Sequence, residues 1–396
     1  MAGLLEGVRI LDLSQMLSGP YSTLILGDMG AEILKIEEPG EGDRTRTMPH
    51  HHFGGLSAYY ISVNRNKKSV TLDLKVPEAR EVFYDLVRKS DVVFDNFRPG
   101  VLERLKADYG TLRKIKNDII SVSITAYGYE GPYKDLPAFD LTVQALGGAM
   151  SVTGEPGGVP VRMGIPMGDI AGAVFASNAV TAALYKRQKT GEGSRVDVSL
   201  LDALVSMHTY VAQYVLQGGE VPGPVGSGHQ SVVPYRAFKG KDGEWFVIAV
   251  FTEKFWGLFC RMLGVPGLEK DARFADNPQR CVHRTELFRI LEKEFEKRTA
   301  AEWLKELDRA GVPAAPINTL DKTLTDPQIL QRKMVIDLEI PGAGKIKTMG
   351  NPVKVLGGQD RFMAPAQLGQ HTEEVLAGLL GYSKEKIALL RERKAI

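Results

Sequence analysis

The chain has 396 residues, enough for two or three units with their own cores, and its apolar and charged fractions (43% and 25%) are those of an ordinary globular protein. A net charge of +2 excludes a general polyanion or nucleic-acid binder, while leaving room for local Lys and Arg clusters that hold a phosphorylated ligand. Cys260 and Cys281 are the only cysteines, there is no basic-then-apolar leader pattern, and no uninterrupted apolar run approaches the roughly 20 residues of a bilayer span. The expectation is a reduced, cytoplasmic protein with no disulfide framework, no cysteine-based zinc site and no membrane partner.

In chain order, Val8–Leu13 reads as a strand and leads through Ser18-Gly-Pro into a helix near Ser22–Met29. Ala31–Glu37 and Ser69–Leu74 are further strands, Pro77–Lys89 is a helix, and Val92–Phe94 and Ile119–Ile124 complete a βαβ rhythm. Such a rhythm predicts an α/β fold with a largely parallel sheet, helices on both faces and ligands beyond the carboxyl ends of the strands. Composition changes after Gln217, where Gly218–Gly228 is rich in Gly and Pro. Beyond it, Tyr235–Phe238 and Trp245–Val250 read as paired strands. Helices follow near Glu253–Leu263, Arg284–Arg298 and Ala301–Ala310. The predicted organisation is a large Rossmann-like domain from 1–200, a linker over 201–224, a small α+β domain over 225–327 and a return to the large domain over 328–396. The last part closes with helices at Glu373–Leu380 and Lys384–Lys394.

The most informative segment is Gly164-Ile-Pro-Met-Gly-Asp169-Ile-Ala-Gly172. Asp169 reads as the N-cap of a helix, with Ala171, Val174, Phe175, Asn178, Ala182 and Leu184 at helical spacing. The flanking glycines let a ligand approach the backbone closely. On local sequence alone the aspartate is either an ordinary cap or a nucleophile.

Ordered motifs run along most of the chain. They include Gly7-Val-Arg-Ile-Leu-Asp-Leu, Ser18-Gly-Pro-Tyr21, Leu34-Lys-Ile-Glu-Glu-Pro-Gly-Glu-Gly-Asp43, Asn64-Arg-Asn-Lys-Lys-Ser-Val-Thr-Leu-Asp-Leu-Lys75 and Asp95-Asn-Phe-Arg-Pro-Gly100. Phe139-Asp140, the Asp169 segment, Lys189-Thr-Gly-Glu-Gly193, Gly311-Val-Pro-Ala-Ala-Pro316 and Gly350-Asn-Pro352 follow. In this order the motifs resemble the class III CoA-transferase family, which includes a divergent racemase branch.

The resemblance implies a Rossmann-like large domain built from both chain ends, an inserted small domain and an interlocked-ring homodimer, with a related partner subunit as the alternative. It makes Asp169 the nucleophile of a CoA transfer from an acyl-CoA to a free carboxylate, with succinyl-CoA and a dicarboxylate or substituted succinate as the expected pair. An aspartate suits this work because its reference pKa near 3.9 leaves it ionised without a base. Backbone N–H groups after Asp169 are the expected oxyanion donors. No tightly bound cofactor or metal is implied.

The family positions matching Leu72, Lys75, Asn96, Phe97 and Arg104 contact CoA; Met16, Arg46, Arg98 and Lys67 are further candidates, and Glu38 stands where a basic residue is frequent. Gly226, Gly228 and His229 occupy the place of a loop that covers the intermediates, although a flexible connector with a structural histidine fits the residues equally well. Phe139 lines the expected substrate site, and Asp140 either tunes Asp169 or caps a helix. A racemase needs a proton-transferring histidine at the Phe139 position, and a dinucleotide-dependent oxidoreductase needs Gly-x-Gly-x-x-Gly after the first strand; the chain has neither. His50, His51 and His52 read as exposed loop rather than metal ligands.

Overall fold

The structure, a computed structural model, describes residues 3–359 and 361–396. Short apolar runs become the strands of a six-stranded sheet: β1 (Arg9–Asp12), β2 (Glu32–Glu37), β3 (Lys67–Thr71), β4 (Val92–Asp95), β5 (Ile120–Thr125) and β6 (Ser194–Ser199). Their order across the sheet is β3-β2-β1-β4-β5-β6, and every neighbouring pair is parallel. Such strands are covered on both faces, which is why Ile10, Leu11, Val93, Phe94 and Val122 are fully buried and read as continuous apolar runs. Strand order reverses between β1 and β4, so the loops after these two strands flank the crevice where such sheets take ligands.

The helices that place the site are α1 (Ser18–Asp28), α2 (Ala58–Val63), α3 (Pro77–Arg88), α4 (Asp140–Leu146), α5 (Met167–Thr190) and α6 (Leu200–Ser206). On one face of the sheet, Val82, Phe83 and Leu86 of α3 share a core with Val375, Leu376, Ile387 and Leu390 from the C-terminal helices Thr372–Gly378 and Lys384–Glu392. On the other face, Ala176 and Val180 of α5 pack with Val143 of α4 and Leu204 of α6. The buried side of α5 is made of small residues such as Ala171, Gly172, Ala173 and Ala176, which let it lie close to the sheet. The helix read from sequence is present, but of the residues at its apolar spacing Val174 and Phe175 are about half exposed (49% and 45%).

The chain divides into two compact units, residues 3–149, 163–209 and 327–396 forming the first, and Met150–Arg162 with Tyr210–Asp326 forming the second. Two boundaries differ from the sequence expectation. Residues 150–162 leave the large unit, and 201–224 is not an extended linker but contains α6 and the helix Tyr210–Leu216. The Ser199 hydroxyl accepts the Asp202 N–H at 3.1 Å and starts α6, whose Leu200, Ala203 and Leu204 are buried, while Gly218–Gly228 is the loop that its Gly and Pro content reads as. The second unit has an antiparallel sheet of β7 (Tyr235–Lys239), β8 (Trp245–Ala249) and β9 (Ala314–Pro316) against a core of Phe238, Phe246, Phe259, Phe295 and Trp303.

Candidate active site

Beneath the switch crevice lies a buried ion-pair network. Asp12 ends β1 and meets Lys67 Nζ at 3.1 Å; Lys35 of β2 pairs with Asp43 at 2.9 Å, and all four are 1% exposed or less. Burial alone would raise the Asp12 carboxyl, but Lys67, Lys35 and the hydroxyls of Ser14 and Thr23 bring it down to about 2. This network also grips the turn after β1. Asp12 accepts the Ser14 N–H at 2.9 Å, Lys35 donates to the Ser14 carbonyl at 2.7 Å, and Asp43 accepts the Met16 N–H at 3.2 Å. Met16 sits at φ +69°, a left-handed conformation that costs a side-chain-bearing residue about 1–2 kcal/mol. The turn ends at Ser18, the first residue of α1, which packs against α5.

Asp169 lies in the first turn of α5, but it is not the N-cap. Pro166 holds that position, and Asp169 is the third residue of the helix. The helix start is instead capped from a distance by Asp140: its Oδ1 accepts the Gly168 N–H at 2.8 Å and the Asp169 N–H at 3.4 Å, while Gln144 Nε2 donates to its Oδ2 at 2.7 Å. Gly168 leaves this approach open, since a Cβ there would sit 3.1 Å from Asp140 Oδ1 and from Val143 Cγ1 and press both side chains outward. Asp140 is thus both cap and neighbour of Asp169, capping α5 in space and opening α4 in sequence.

The consequence for Asp169 is electrostatic. Burial first, and then the negative charge of Asp140, raise its carboxyl to about 7, with only the nearby Ser18 hydroxyl acting in the other direction. No Lys or Arg forms an ion pair with it among the described residues. The expectation of a carboxylate ionised far below neutrality is therefore corrected. So is the expected oxyanion hole. The Ile170 N–H already bonds the Pro166 carbonyl at 3.0 Å, and the two N–H groups before it face Asp140, because Asp169 sits inside the helix rather than at its cap.

The anticipated CoA contacts separate into inward and outward groups. Arg46 is 7% exposed, and its guanidinium donates to both Glu37 oxygens (2.8 and 2.7 Å), the Ala366 carbonyl (3.0 Å) and the Tyr60 hydroxyl (2.6 Å). Lys67 is bound within the buried network. Neither of these two cations faces solvent, so as phosphate contacts both are corrected: the internal carboxylates took them first. Lys75 and Arg104 are exposed at the carboxyl side of β3 and β4, with Arg98 between them in sequence, and Lys75 pairs with Glu38 at 2.6 Å. Leu72 is buried, Phe97 packs partly into the core, and Asn96 is half-buried with its carboxamide on the backbone of Gln15. Phe139 is 72% exposed at the N-cap position of α4.

Gly226, Gly228 and His229 belong to the second unit, in a loop that is pinned rather than loose. The Gly226 N–H reaches the Gly154 carbonyl at 2.8 Å, Ser227 Oγ accepts the Ala237 N–H at 3.0 Å, and Arg284 donates to the Gln230 carbonyl at 2.9 Å. His229 stacks on Tyr210 with ring centroids 5.5 Å apart, and burial pushes its pKa below the usual value. Its Nδ1 accepts the Ser231 N–H at 3.0 Å, so the neutral ring carries its proton on Nε2, 3.1 Å from the Tyr210 hydroxyl. These bonds tie the loop to neighbouring parts of the second unit.

Sequence reasoning missed Ser18, Gln144 and Tyr59. Ser18 lay inside a quoted motif without a role. Tyr59 of α2 lies near enough to Asp169, Asp43 and Asp140 that burial and their charges push its hydroxyl up to about 12. Gln144 gave no signal, since its partner Asp140 is visible only in three dimensions. Among the described residues, no group of three His, Cys, Asp or Glu side chains could hold a metal ion.

A parallel α/β sheet with a partly buried aspartate at a helix start beside its switch crevice is the setting in which doubly wound α/β enzymes take their ligands. Residues 5–372 match CoA-transferase family III, and the chain belongs to that family. It is 37% identical to human succinyl-CoA:glutarate CoA-transferase over 98% of this chain and 88% of the relative. It is also 37% identical to the acetyl-CoA:oxalate CoA-transferase of Acetobacter aceti, over 92% of each. A CAIB/BAIF family protein from Brucella suis has the same fold, with a TM-score of 0.84 at 32% identity over 96% of this chain and 100% of that one. The protein is a family III CoA-transferase.

Proposed function

We propose that the protein moves CoA from an acyl-CoA, with succinyl-CoA as the principal donor, to a free dicarboxylate through adducts on Asp169. The observation that carries this reading is a partly buried aspartate with no cation partner, held beside a second carboxylate at a helix start. The two relatives named above carry glutarate and oxalate in their names, both dicarboxylates, which supports the acceptor class.

Four acyl exchanges balance without any net proton. The Asp169 carboxylate attacks the donor thioester carbonyl, the C–S bond breaks, and a mixed anhydride and CoA thiolate form. The thiolate attacks the Asp169 carbonyl, giving an aspartyl-CoA thioester and freeing the donor acid. The acceptor carboxylate displaces CoA from that thioester as a new anhydride, and CoA thiolate then takes the acceptor acyl group and restores Asp169. Burial that raises the Asp169 pKa also makes its ionised form a stronger nucleophile, so the site gains reactivity once the proton has left. Exposed Lys75, Arg98 and Arg104 serve the CoA phosphates. Racemisation is disfavoured because Phe139 has no proton to transfer.

The protein acts as a homodimer of the interlocked kind, the second copy covering the exposed apolar residues Val174, Phe175 and Tyr185 of α5 with Leu141 and Leu146 of α4. We place it in the cytoplasm, where Cys260 and Cys281, both free, stay reduced. Light scattering of the purified protein tests the dimer; a monomer at micromolar concentration contradicts it. The reaction is tested with a panel of acyl-CoA donors against mono- and dicarboxylates, read by mass spectrometry of the CoA products. Succinyl-CoA with a dicarboxylate is expected to give the new thioester. Release of free CoA alone would make the enzyme a hydrolase.

A further inference from the structure

The switch crevice is bridged by one side chain whose role the reaction scheme leaves open. Asn96 follows β4, and its carboxamide closes a two-bond pair with the backbone of Gln15 in the loop after β1. The Gln15 N–H donates to Asn96 Oδ1 at 2.8 Å, and Asn96 Nδ2 donates to the Gln15 carbonyl at 2.7 Å. A carboxamide offers an acceptor and a donor in one plane, so it pairs with a residue's N–H and C=O as an adjacent strand would. The Asn96 backbone is itself fixed: the fully buried Asp95 accepts the Phe97 N–H at 3.1 Å and the Ser123 hydroxyl.

The turn that Asn96 holds is tightly packed against α1. A Cβ at Gly19 would fall 2.2 Å from Ser14 Cβ and 3.3 Å from Asn96 Cγ, so Ser14, Asn96 and the first turn of α1 meet without spare room. The next residue after Gln15 is the left-handed Met16, a conformation that persists only where its surroundings enforce it. Two residues further on, Ser18 opens α1, which packs on α5.

We propose that Asn96 is a positioning residue for the transfer reaction, pinning the Gln15–Leu17 turn and with it the start of α1 where that helix packs on α5, the helix that carries Asp169, in addition to any contact it makes with CoA. This rests on the reading of Asp169 as the nucleophile. The Ser18 hydroxyl is the one neighbour that favours the ionised form of Asp169; the titratable groups facing Asp169 are Asp140 from α4 and Tyr59 from α2. When the turn relaxes, the start of α1 shifts against α5 and the Ser18 hydroxyl leaves Asp169.

The test uses the full-length enzyme with the best donor–acceptor pair from the panel, comparing Asn96→Ala, Asn96→Asp and Ser18→Ala with the parent. Asn96→Ala lowers kcat by about 100-fold, the scale of a misplaced reacting group, while KM for the acyl-CoA stays within about twofold. Its acid limb of kcat/KM moves to higher pH, because a lost hydrogen bond to the carboxylate favours the protonated form. Asn96→Asp keeps the acceptor for the Gln15 N–H and regains part of kcat. Ser18→Ala shifts the limb the same way, and combining it with Asn96→Ala adds no further shift. An Asn96→Ala enzyme with raised KM but parental kcat and pH limb overturns the proposal and leaves Asn96 as a CoA contact only. If that variant does not fold, a parental kcat and pH limb in Asn96→Asp together with an unshifted limb in Ser18→Ala overturn it equally. Peptide mass mapping separates the two layers: no adduct on Asp169 in the parent refutes the nucleophile, whereas a parental adduct rate in Asn96→Ala refutes only the positioning role.

Discussion

Asp12 and Asp169 are both shielded aspartates of the first unit, and their surroundings drive them in opposite directions. Asp12 pays for its burial with Lys67 and Lys35, two hydroxyls and a backbone N–H, and its carboxyl falls to about 2. Asp169 has Asp140 as its charged neighbour and a single hydroxyl donor, and it rises to about 7. The difference separates a carboxylate that organises a turn from the one proposed to react. A paired buried carboxylate is stable and chemically quiet; an unpaired one is destabilising and available to a carbonyl. The first network also determines where the second group sits, because Asp12, Lys35 and Asp43 hold the turn that leads to Ser18.

Breaking each side of this comparison gives different readouts. The largest effect belongs to Asp169→Ala, for which transfer falls on the order of 10⁴-fold or more while the fold persists; near-parental turnover in a coupled thioester assay contradicts the nucleophile. On the structural side, Lys67→Met leaves Asp12 buried with half its compensation, and unfolding in urea is expected about 3–5 kcal/mol easier. A loss below about 1 kcal/mol would mean that the network is a surface-like pair and not the support of the turn.

Asp140→Asn sharpens the electrostatic half. Removing its charge lowers the Asp169 pKa, so the acid limb of kcat/KM moves from near 7 toward lower pH, while the amide oxygen still accepts the Gly168 N–H. A limb that stays in place assigns the shift to burial alone. Stability follows the same sign. A carboxyl raised in the folded state binds its proton there between pH 4 and 7, so folding weakens as pH rises through that window and the penalty is full above about 7. Asp169→Asn therefore stabilises the protein at pH 8 by roughly 1–3 kcal/mol and has little effect near pH 4, read by thermal unfolding at the two pH values. The smallest change is Lys75→Ala. Its exposed pair with Glu38 contributes little to stability, and KM for acyl-CoA rises only several-fold. An unchanged KM removes Lys75 from the CoA surface.

The strands of the parallel sheet were legible because each is buried on both faces and reads as a short apolar run, as at Val92–Phe94 and Ile120–Ile124. Asp169 was legible through its glycines and the order of the motifs around it. What escaped the sequence were relations between distant residues. Pro166, not Asp169, caps α5 because Asp140, 29 positions earlier, supplies the accepting oxygen. Arg46 and Lys67 resemble ordinary surface cations until Glu37 and Asp12 are seen to enclose them. The small residues of α5 face the sheet and its larger ones face outward, the reverse of what an apolar stripe suggests for an isolated chain. Ser18 gave a motif without a role, since its partner lies on another helix.

The central claim is that a carboxyl group poised near neutrality receives the acyl group. Rapid-quench mixing of the enzyme with acyl-CoA across pH 5–9, followed by peptide mass mapping, measures this directly. The account predicts a covalent adduct on the peptide holding Asp169, formed at a rate that rises with pH through a limb near 7. An adduct on another residue, or a rate on Asp169 that is flat down to pH 5, would contradict it.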